Sequence, residues 1–414
     1  MFVGSETGLR KRIPIADLRF GMYVAELDRP WTDTPFIFQG FTLQTHEQLE
    51  ILKAYCNVVF VDPDRAEIVS RLADTMPPRT KATVDLARSG KLTWTVLAPV
   101  EKEYPGAARC YSDASALMGK CVVAVRSAGV LQPKKLSEAV SAITTSVLSN
   151  PDAMLLFSRL QEKGDYTQSH SLDCAIYMAA FGRFLEMSPQ DIVLLGHLGL
   201  LQDIGKAKLP TPLLEKRGKL TPVEYSLAQR HVEYSEAILR ATPGLPRGLA
   251  DLATLHHERI DGSGYPRGLK GKDIGLLGSI AAIVDTFDAL TASRPYAMPI
   301  SPSDALKVLY NSRGKLFDSF LVEQFIRCIG VFPVGSTVEL NGGELGIVIA
   351  QNPIRRLQPR VMVIHDGAGN LVRRQKLIDL ARGTIARDGN PYRIRRALQQ
   401  SSIEIKAADL FLAA

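Results

Sequence analysis

The chain has 414 residues, of which 46% are hydrophobic and 22% charged, and a formal net charge of +7. That is the composition of an ordinary globular protein with room for about three domains. Its five cysteines (Cys56, Cys110, Cys121, Cys174, Cys328) are scattered, odd in number and without CxxC spacing. They fit reduced thiols in a cytoplasm and exclude a disulfide framework.

No run of about 18 apolar residues reads as a membrane span. The stretch MFVGSETGLRKRIPI is too polar for a signal peptide, so a cytoplasmic protein is expected. The basic excess lies late, in Arg355, Arg356, Arg360, Arg373, Arg374, Lys376, Arg393, Arg395 and Arg396. No aromatic residues interleave with these cations as a stacking platform for nucleic acid requires, so a solvated basic tail is expected and nucleic acid is not.

In chain order, RIPI, FGMYVAEL, FIFQGFTL and NVVFVD read as short strands, and Thr45 is placed to cap a helix over HEQLEILKAY. This predicts a small N-terminal α+β module within residues 1–125, with TMPPRTK, residues 75–81, as a linker. Residues 82–125 carry no legible chemistry.

From about Ser137 to Gly330 the pattern is helical. Ser188-Pro189-Gln190-Asp191, Thr221-Pro222-Val223-Glu224 and Ser301-Pro302-Ser303-Asp304 share one signature: a hydroxyl cap, proline at the first helical position and an acid at the third. Hydroxyl and acid satisfy free amides, and proline fits where the amide has no partner anyway. An all-α bundle over residues 137–330 follows. Residues 331–414 open with FPVGSTVEL, GELGIVIAQ and RVMVIHDG, three short strands of a small β appendage, ahead of the basic tail.

The run TLHHERIDGSGYPRGL sets His256 beside His257 and follows them with a glycine-rich turn. Imidazole is polar at two atoms, and a neighbouring pair points to metal more readily than to a core. His170, Asp203, His231 and Asp285 lie on other predicted helices of the same bundle, which can aim all of them at one point. Nitrogen with carboxylate oxygen suits iron, manganese or a similar divalent transition metal, and two aspartates can serve a pair of ions. His197 lies six residues before Asp203, about 600° around a helix at about 100° per residue, and is expected to pack rather than ligate.

QDIGKAKLP resembles the HDIGK element of HD-superfamily phosphohydrolases, and HHERIDGSGYPRGL resembles the HHExxDGxGYP signature of the HD-GYP subfamily. IVDTFDALTASRPY and GELGIVIAQNP continue the likeness, which covers about residues 137–380. Residues ahead of the bundle resemble a domain of unknown function often fused to HD-GYP domains.

The resemblance implies an HD-type bundle that hydrolyses cyclic di-GMP to pGpG, GMP or both, with water activated by two divalent ions, iron or manganese. It implies that His231, His256 and His257 hold one ion, that Asp203 bridges, and that His170 and Asp285 complete the second. It implies that Lys206 meets phosphate and that Gly264, Tyr265, Asp288 and Arg294 contact the dinucleotide. A homodimer and diguanylate cyclases of the GGDEF type are the implied protein partners.

Two positions depart from the family pattern. Gln202 stands where the family has a metal-ligating histidine, and a neutral carbonyl oxygen is a poorer donor to a transition metal. Tyr166 stands where some members carry a glutamate for a third ion, so a third ion is not expected. Two outcomes follow for Gln202: an enzyme with one weakened site, or a cyclic di-GMP receptor or interaction protein without turnover. Retained activity is the expectation.

Overall fold

The computed structural model describes residues 11–28, 41–43, 46–61, 95–127, 131–161, 166–292, 298–352 and 355–398. Thr45, the 75–81 linker and Arg294 lie outside them, as do the side chains of Tyr166, Arg373 and Arg374. The chain divides into two compact units, Met1–Gly90 and Lys91–Ala414.

The first unit is a small α+β fold. Strands β1 (Lys11–Pro14), β2 (Tyr23–Leu27), β3 (Phe41–Thr42) and β4 (Val58–Val61) form an antiparallel sheet in the order β1-β4-β2-β3, and helix α1 spans His46–Tyr55. Alternation in VVFV turns Val59 and Val61 inward, where they meet Val24, Leu27, Leu43 and Leu52. Asp28 Oδ2 accepts the amides of Asn57 and Val58 at 2.8 and 3.2 Å, fixing the entry into β4.

The second unit begins earlier than the expected module boundary at residue 125. Helix α2 (Val100–Ser127) turns Tyr104, Ala107, Tyr111, Ala114, Met118, Cys121 and Val125 into the bundle core, a spacing of three and four residues that marks one helical face. It packs on α3 (Pro133–Ser149), α4 (Pro151–Leu160) and α5 (Tyr166–Phe184). The helical region therefore includes residues assigned above to the N-terminal module, because this helix has no strong cap and carries Pro105 inside it.

The bundle continues through α6 (Pro189–Leu201), α7 (Thr211–Leu214), α8 (Pro222–Gln229), α9 (His231–Arg240), α10 (Leu249–Ala253), α11 (Gly275–Thr291), α12 (Pro302–Ser312) and α13 (Ser319–Ile329). All three expected caps form. Ser188 and Ser301 accept the amides of Asp191 and Asp304 at 3.1 Å, and Thr221 with Glu224 closes a full capping box. Helix α11 is buried nearly all round. The segment Gly271–Thr291 has a mean hydropathy of 1.5 and is long enough to cross a membrane, contrary to the expectation that no segment is, but it is 67% buried and bears Asp285 and Asp288. It reads as a core helix.

After α13 the chain forms a five-stranded antiparallel sheet, ordered β8-β7-β6-β5-β9, from β5 (Thr337–Leu340), β6 (Leu345–Ala350), β7 (Arg360–His365), β8 (Leu371–Asp379) and β9 (Ile394–Ala397). Three of these strands match the sequence expectation, while β8 and β9 fall in what was read as a basic tail. Arg395 and Arg396 of β9 pair with Glu339 of β5 at 2.8 and 2.6 Å, and Arg360 pairs with Glu101. These cations pair with carboxylates of the sheet or of α2, although Arg395 and Arg396 remain 69% and 66% exposed. All five cysteines are free thiols.

Candidate metal centre

Asp203 ends the turn after α6, and the 3-10 segment Ile204–Lys208 carries the chain away from it. Gly205 makes the next step possible. A β-carbon there would stand 2.1 Å from the carbonyl oxygen of His231 and 2.4 Å from the amide of Ser235, so only glycine lets the turn lie against the start of α9. The Gly205 amide donates to Ser235 Oγ at 2.8 Å. This contact sets His231 beside Asp203.

His231 and His256 use one ring nitrogen in the same way. Each Nδ1 donates to a carbonyl three residues back, Ala228 or Ala253, at 2.7 Å. In the neutral ring that leaves the lone pair on Nε2. The two Nε2 atoms are 3.3 Å apart and lie 3.1 and 3.6 Å from Asp203 Oδ1. Asp203 Oδ1 is buried without a hydrogen bond of good geometry, although both Nε2 atoms stand near it. His257 completes a group of four with them.

The other oxygen of Asp203 faces a second group. His170 on α5 donates from Nδ1 to Asp288 Oδ2 at 2.6 Å, which turns its Nε2 toward Asp203 Oδ2 and Asp285 Oδ1, both at 3.1 Å. His170, Asp203 and Asp285 form a cluster of possible ligand atoms within 4.8 Å of one another. One carboxylate thus serves two clusters from its two oxygens. Lys206 Nζ lies 2.6 Å from Asp203 Oδ2, and its side chain is 19% exposed.

Burial disfavours the Asp203 carboxylate, but Lys206 and the imidazoles of His170, His231 and His256 outweigh it and hold its pKa well below the usual carboxylate range. Asp285 is likewise held low against its burial, by His170, His257 and His256. Burial lowers the pKa of His231, and burial with the neighbouring His256 lowers that of His257 further. Ionised carboxylates thus stand beside imidazoles, two of which, His231 and His257, burial biases toward the neutral form. That is the chemistry of a cation site, and the residues fit a divalent metal pair.

The sequence-predicted residues divide into three groups. His170, Asp203, His231, His256, His257 and Asp285 come together, and Lys206 joins them at the edge. Asp288, expected to touch the dinucleotide, is fully buried and instead orients His170. Gly264 was expected to let backbone approach a ligand. It lets the loop approach its own chain, since a β-carbon there would stand 2.4 Å from the Arg259 amide and 2.5 Å from the His257 carbonyl oxygen.

Tyr265 stacks on His257, with ring centroids 4.6 Å apart and planes 29° from parallel. Gln202 is 1% exposed, and neither atom of its amide has a hydrogen-bond partner. His197 is buried, donating from Nδ1 to the Val193 carbonyl at 2.9 Å and meeting Ser137 Oγ at 3.3 Å, a packing role as expected.

Sequence reasoning missed Glu258. Fully buried, it accepts the amides of Arg267 and Leu269 at 2.8 and 2.9 Å and so closes the loop that carries Tyr265. A glutamate beside two metal-binding histidines was the available signal. Cys174, 3.8 Å from His170, carried no signal beyond its i+4 spacing.

Residues 153–321 match the HD domain family, and residues 10–136 match a domain of unknown function, DUF3391, whose span covers α2 and reaches the start of α3. The chain is 33% identical over 379 residues to the cyclic di-GMP phosphodiesterase PA4108 of Pseudomonas aeruginosa, covering 90% of this chain and 89% of that one. It is 42% identical over 146 residues to the 3'3'-cGAMP-specific phosphodiesterase 3 of Vibrio cholerae, covering 35% and 32%. Among solved structures, Bd1817, a HDG"Y"P protein from Bdellovibrio bacteriovorus, matches with a TM-score of 0.44 at 14% identity over 76% of this chain and 98% of that one.

Fold and centre are those of a metal-dependent phosphodiesterase built on an HD domain. With the DUF3391 domain ahead of its catalytic bundle, the chain belongs to the HD-GYP family.

Proposed function

We propose that this protein hydrolyses cyclic di-GMP to pGpG and onward to GMP, with two divalent iron or manganese ions. His231, His256, His257 and Asp203 would hold one ion, and His170, Asp285 and the other oxygen of Asp203 the second. Bound there, the pair would polarise the phosphodiester and lower the pKa of water to near neutrality.

The protein's own groups supply the rest. Asp288 and the carbonyls of Ala228 and Ala253 fix the ring orientations, so the ligand set is assembled before substrate arrives. Lys206, partly exposed at the edge of the centre, offsets charge on a non-bridging phosphate oxygen. Tyr265 covers one face of His257 and lines the approach to it. The observation that carries the reading is the buried Oδ1 of Asp203 set between the Nε2 atoms of two histidines. The identity of the substrate draws on the relative PA4108, which shares nearly the full length of the chain.

Gln202 supports a second reading, a cyclic di-GMP receptor without turnover. Its unpartnered amide stands next to Asp203, where the family has an imidazole. Protein loaded anaerobically with manganese or iron and given cyclic di-GMP separates the two. Release of pGpG or GMP, seen by chromatography, supports the enzyme. Tight binding with no product under either metal selects the receptor.

A further inference from the structure

Helix α8 has no buried residue, yet it is held firmly. Thr221 and Glu224 close its capping box, and Lys216 Nζ donates to Glu224 Oε2 at 2.5 Å. Fixed by polar contacts at its first turn, the helix also supplies the Ala228 carbonyl that accepts from His231. It presents Tyr225, 52% exposed.

Single exposed aromatic residues are common on protein surfaces. Tyr225 differs in what stands beside it. Its ring lies 6.4 Å from that of Tyr265 at an interplanar angle of 79°, and Tyr265 is stacked on His257 of the centre. The three rings make a continuous aromatic path from solvent to a candidate metal ligand. The near-perpendicular meeting of the tyrosines leaves at least one face of Tyr225 uncovered by Tyr265.

We infer that Tyr225 is a specificity-determining residue, a stacking platform for one purine base of a cyclic dinucleotide whose phosphodiester lies at the centre. The inference rests on the substrate class proposed above. A phosphodiester at the metal ligands places its sugar and base outward, along the side on which Tyr265 and Tyr225 stand. Stacking on a tyrosine face is open to any base, so the platform distinguishes nucleotides from other phosphodiesters more than it distinguishes one purine from another.

The test compares manganese-loaded wild type with Tyr225→Ala, Tyr225→Phe and Tyr225→Trp on two substrates, cyclic di-GMP and the base-free bis(p-nitrophenyl) phosphate. The expected result for Tyr225→Ala is a KM for cyclic di-GMP raised about tenfold. Its kcat and its hydrolysis of the base-free substrate stay within about twofold of wild type, and phenylalanine and tryptophan restore KM. An unchanged KM, an equal loss on both substrates, or failure of both aromatic variants to rescue overturns the inference.

If wild type cleaves the base-free substrate but not cyclic di-GMP, the substrate reading fails by itself. Equilibrium binding of cyclic di-GMP to the loaded protein then decides about Tyr225. An affinity about tenfold weaker in Tyr225→Ala sustains the platform, while equal affinities, or no binding by wild type, remove it.

Discussion

The Nε2 atoms of His231 and His256 face each other across 3.3 Å, while both rings donate from Nδ1 to backbone carbonyls. Neutral rings so held turn lone pairs toward each other, an arrangement that a cation between or beside them relieves. His256→Ala removes one of them. Metal retained after dialysis should fall, and turnover should drop by more than about 100-fold, the upper end for loss of an outer-shell partner. Elemental analysis and product chromatography on the same preparation check both, and full turnover in the variant would refute the assignment.

Asp288 acts at one remove. Its hydrogen bond to His170 Nδ1 at 2.6 Å keeps the opposite nitrogen turned toward Asp203 and Asp285. Asp288→Asn should weaken metal binding at that second cluster by about 10- to 100-fold and leave the three-histidine cluster near wild type. A metal titration resolving two classes of site reads this directly. Equal weakening of both classes would mean that Asp288 supports the bundle in general.

Much of this was legible in the sequence, and the parts that were not have physical reasons. The caps at Ser188, Thr221 and Ser301 were readable because hydroxyl, proline and acid each answer to one unpaired amide. The cluster of imidazoles and carboxylates was readable because imidazole pairs have few uses other than metal. The bond from His170 to Asp288 was not readable, because sequence gives a carboxylate's type and helix but not which side of the cluster it stands on. Strands β8 and β9 were hidden beneath their charges: Arg395 and Arg396 looked like solvated tail until Glu339 appeared opposite them. Gly264 was rightly seen as a site of close approach, but its neighbour is the chain's own backbone.

Glu258 holds the loop by two amides that have no other acceptor assigned, those of Arg267 and Leu269. Glu258→Ala removes the acceptor of both, and water can reach the freed amides because Arg267 is exposed and Leu269 half-buried. Stability of the metal-free variant in urea should fall by about 1–3 kcal/mol. A variant as stable as wild type would show that the loop does not depend on this carboxylate.

Acid should destabilise the metal-free protein before its carboxylates titrate. Burial lowers the pKa of His231 and His257 from the ordinary 6.5, so the unfolded chain takes up protons that the folded chain refuses. The stability these two rings permit is fully present above about pH 6.5 and declines as pH falls below it. Urea midpoints of chelator-treated protein should drop between about pH 7 and 5. Alanine at either position should flatten that slope, and an unchanged slope would contradict neutral, buried imidazoles.

The proposed reading makes Gln202, whose buried amide has no partner, the weak point of one half of the centre. Gln202→His should raise the affinity for the second ion and increase product release at limiting metal. Unchanged metal stoichiometry and affinity would place the weakness elsewhere.

The central claim is that one carboxylate, Asp203, joins two metal clusters through its two oxygens. Equilibrium dialysis of chelator-stripped protein against manganese, comparing wild type with the isosteric Asp203→Asn, tests it most directly. The account predicts two bound ions per wild-type chain at saturation and weakened binding of both in the variant. Wild type that binds no manganese, or a variant that binds both ions as wild type does, would contradict it.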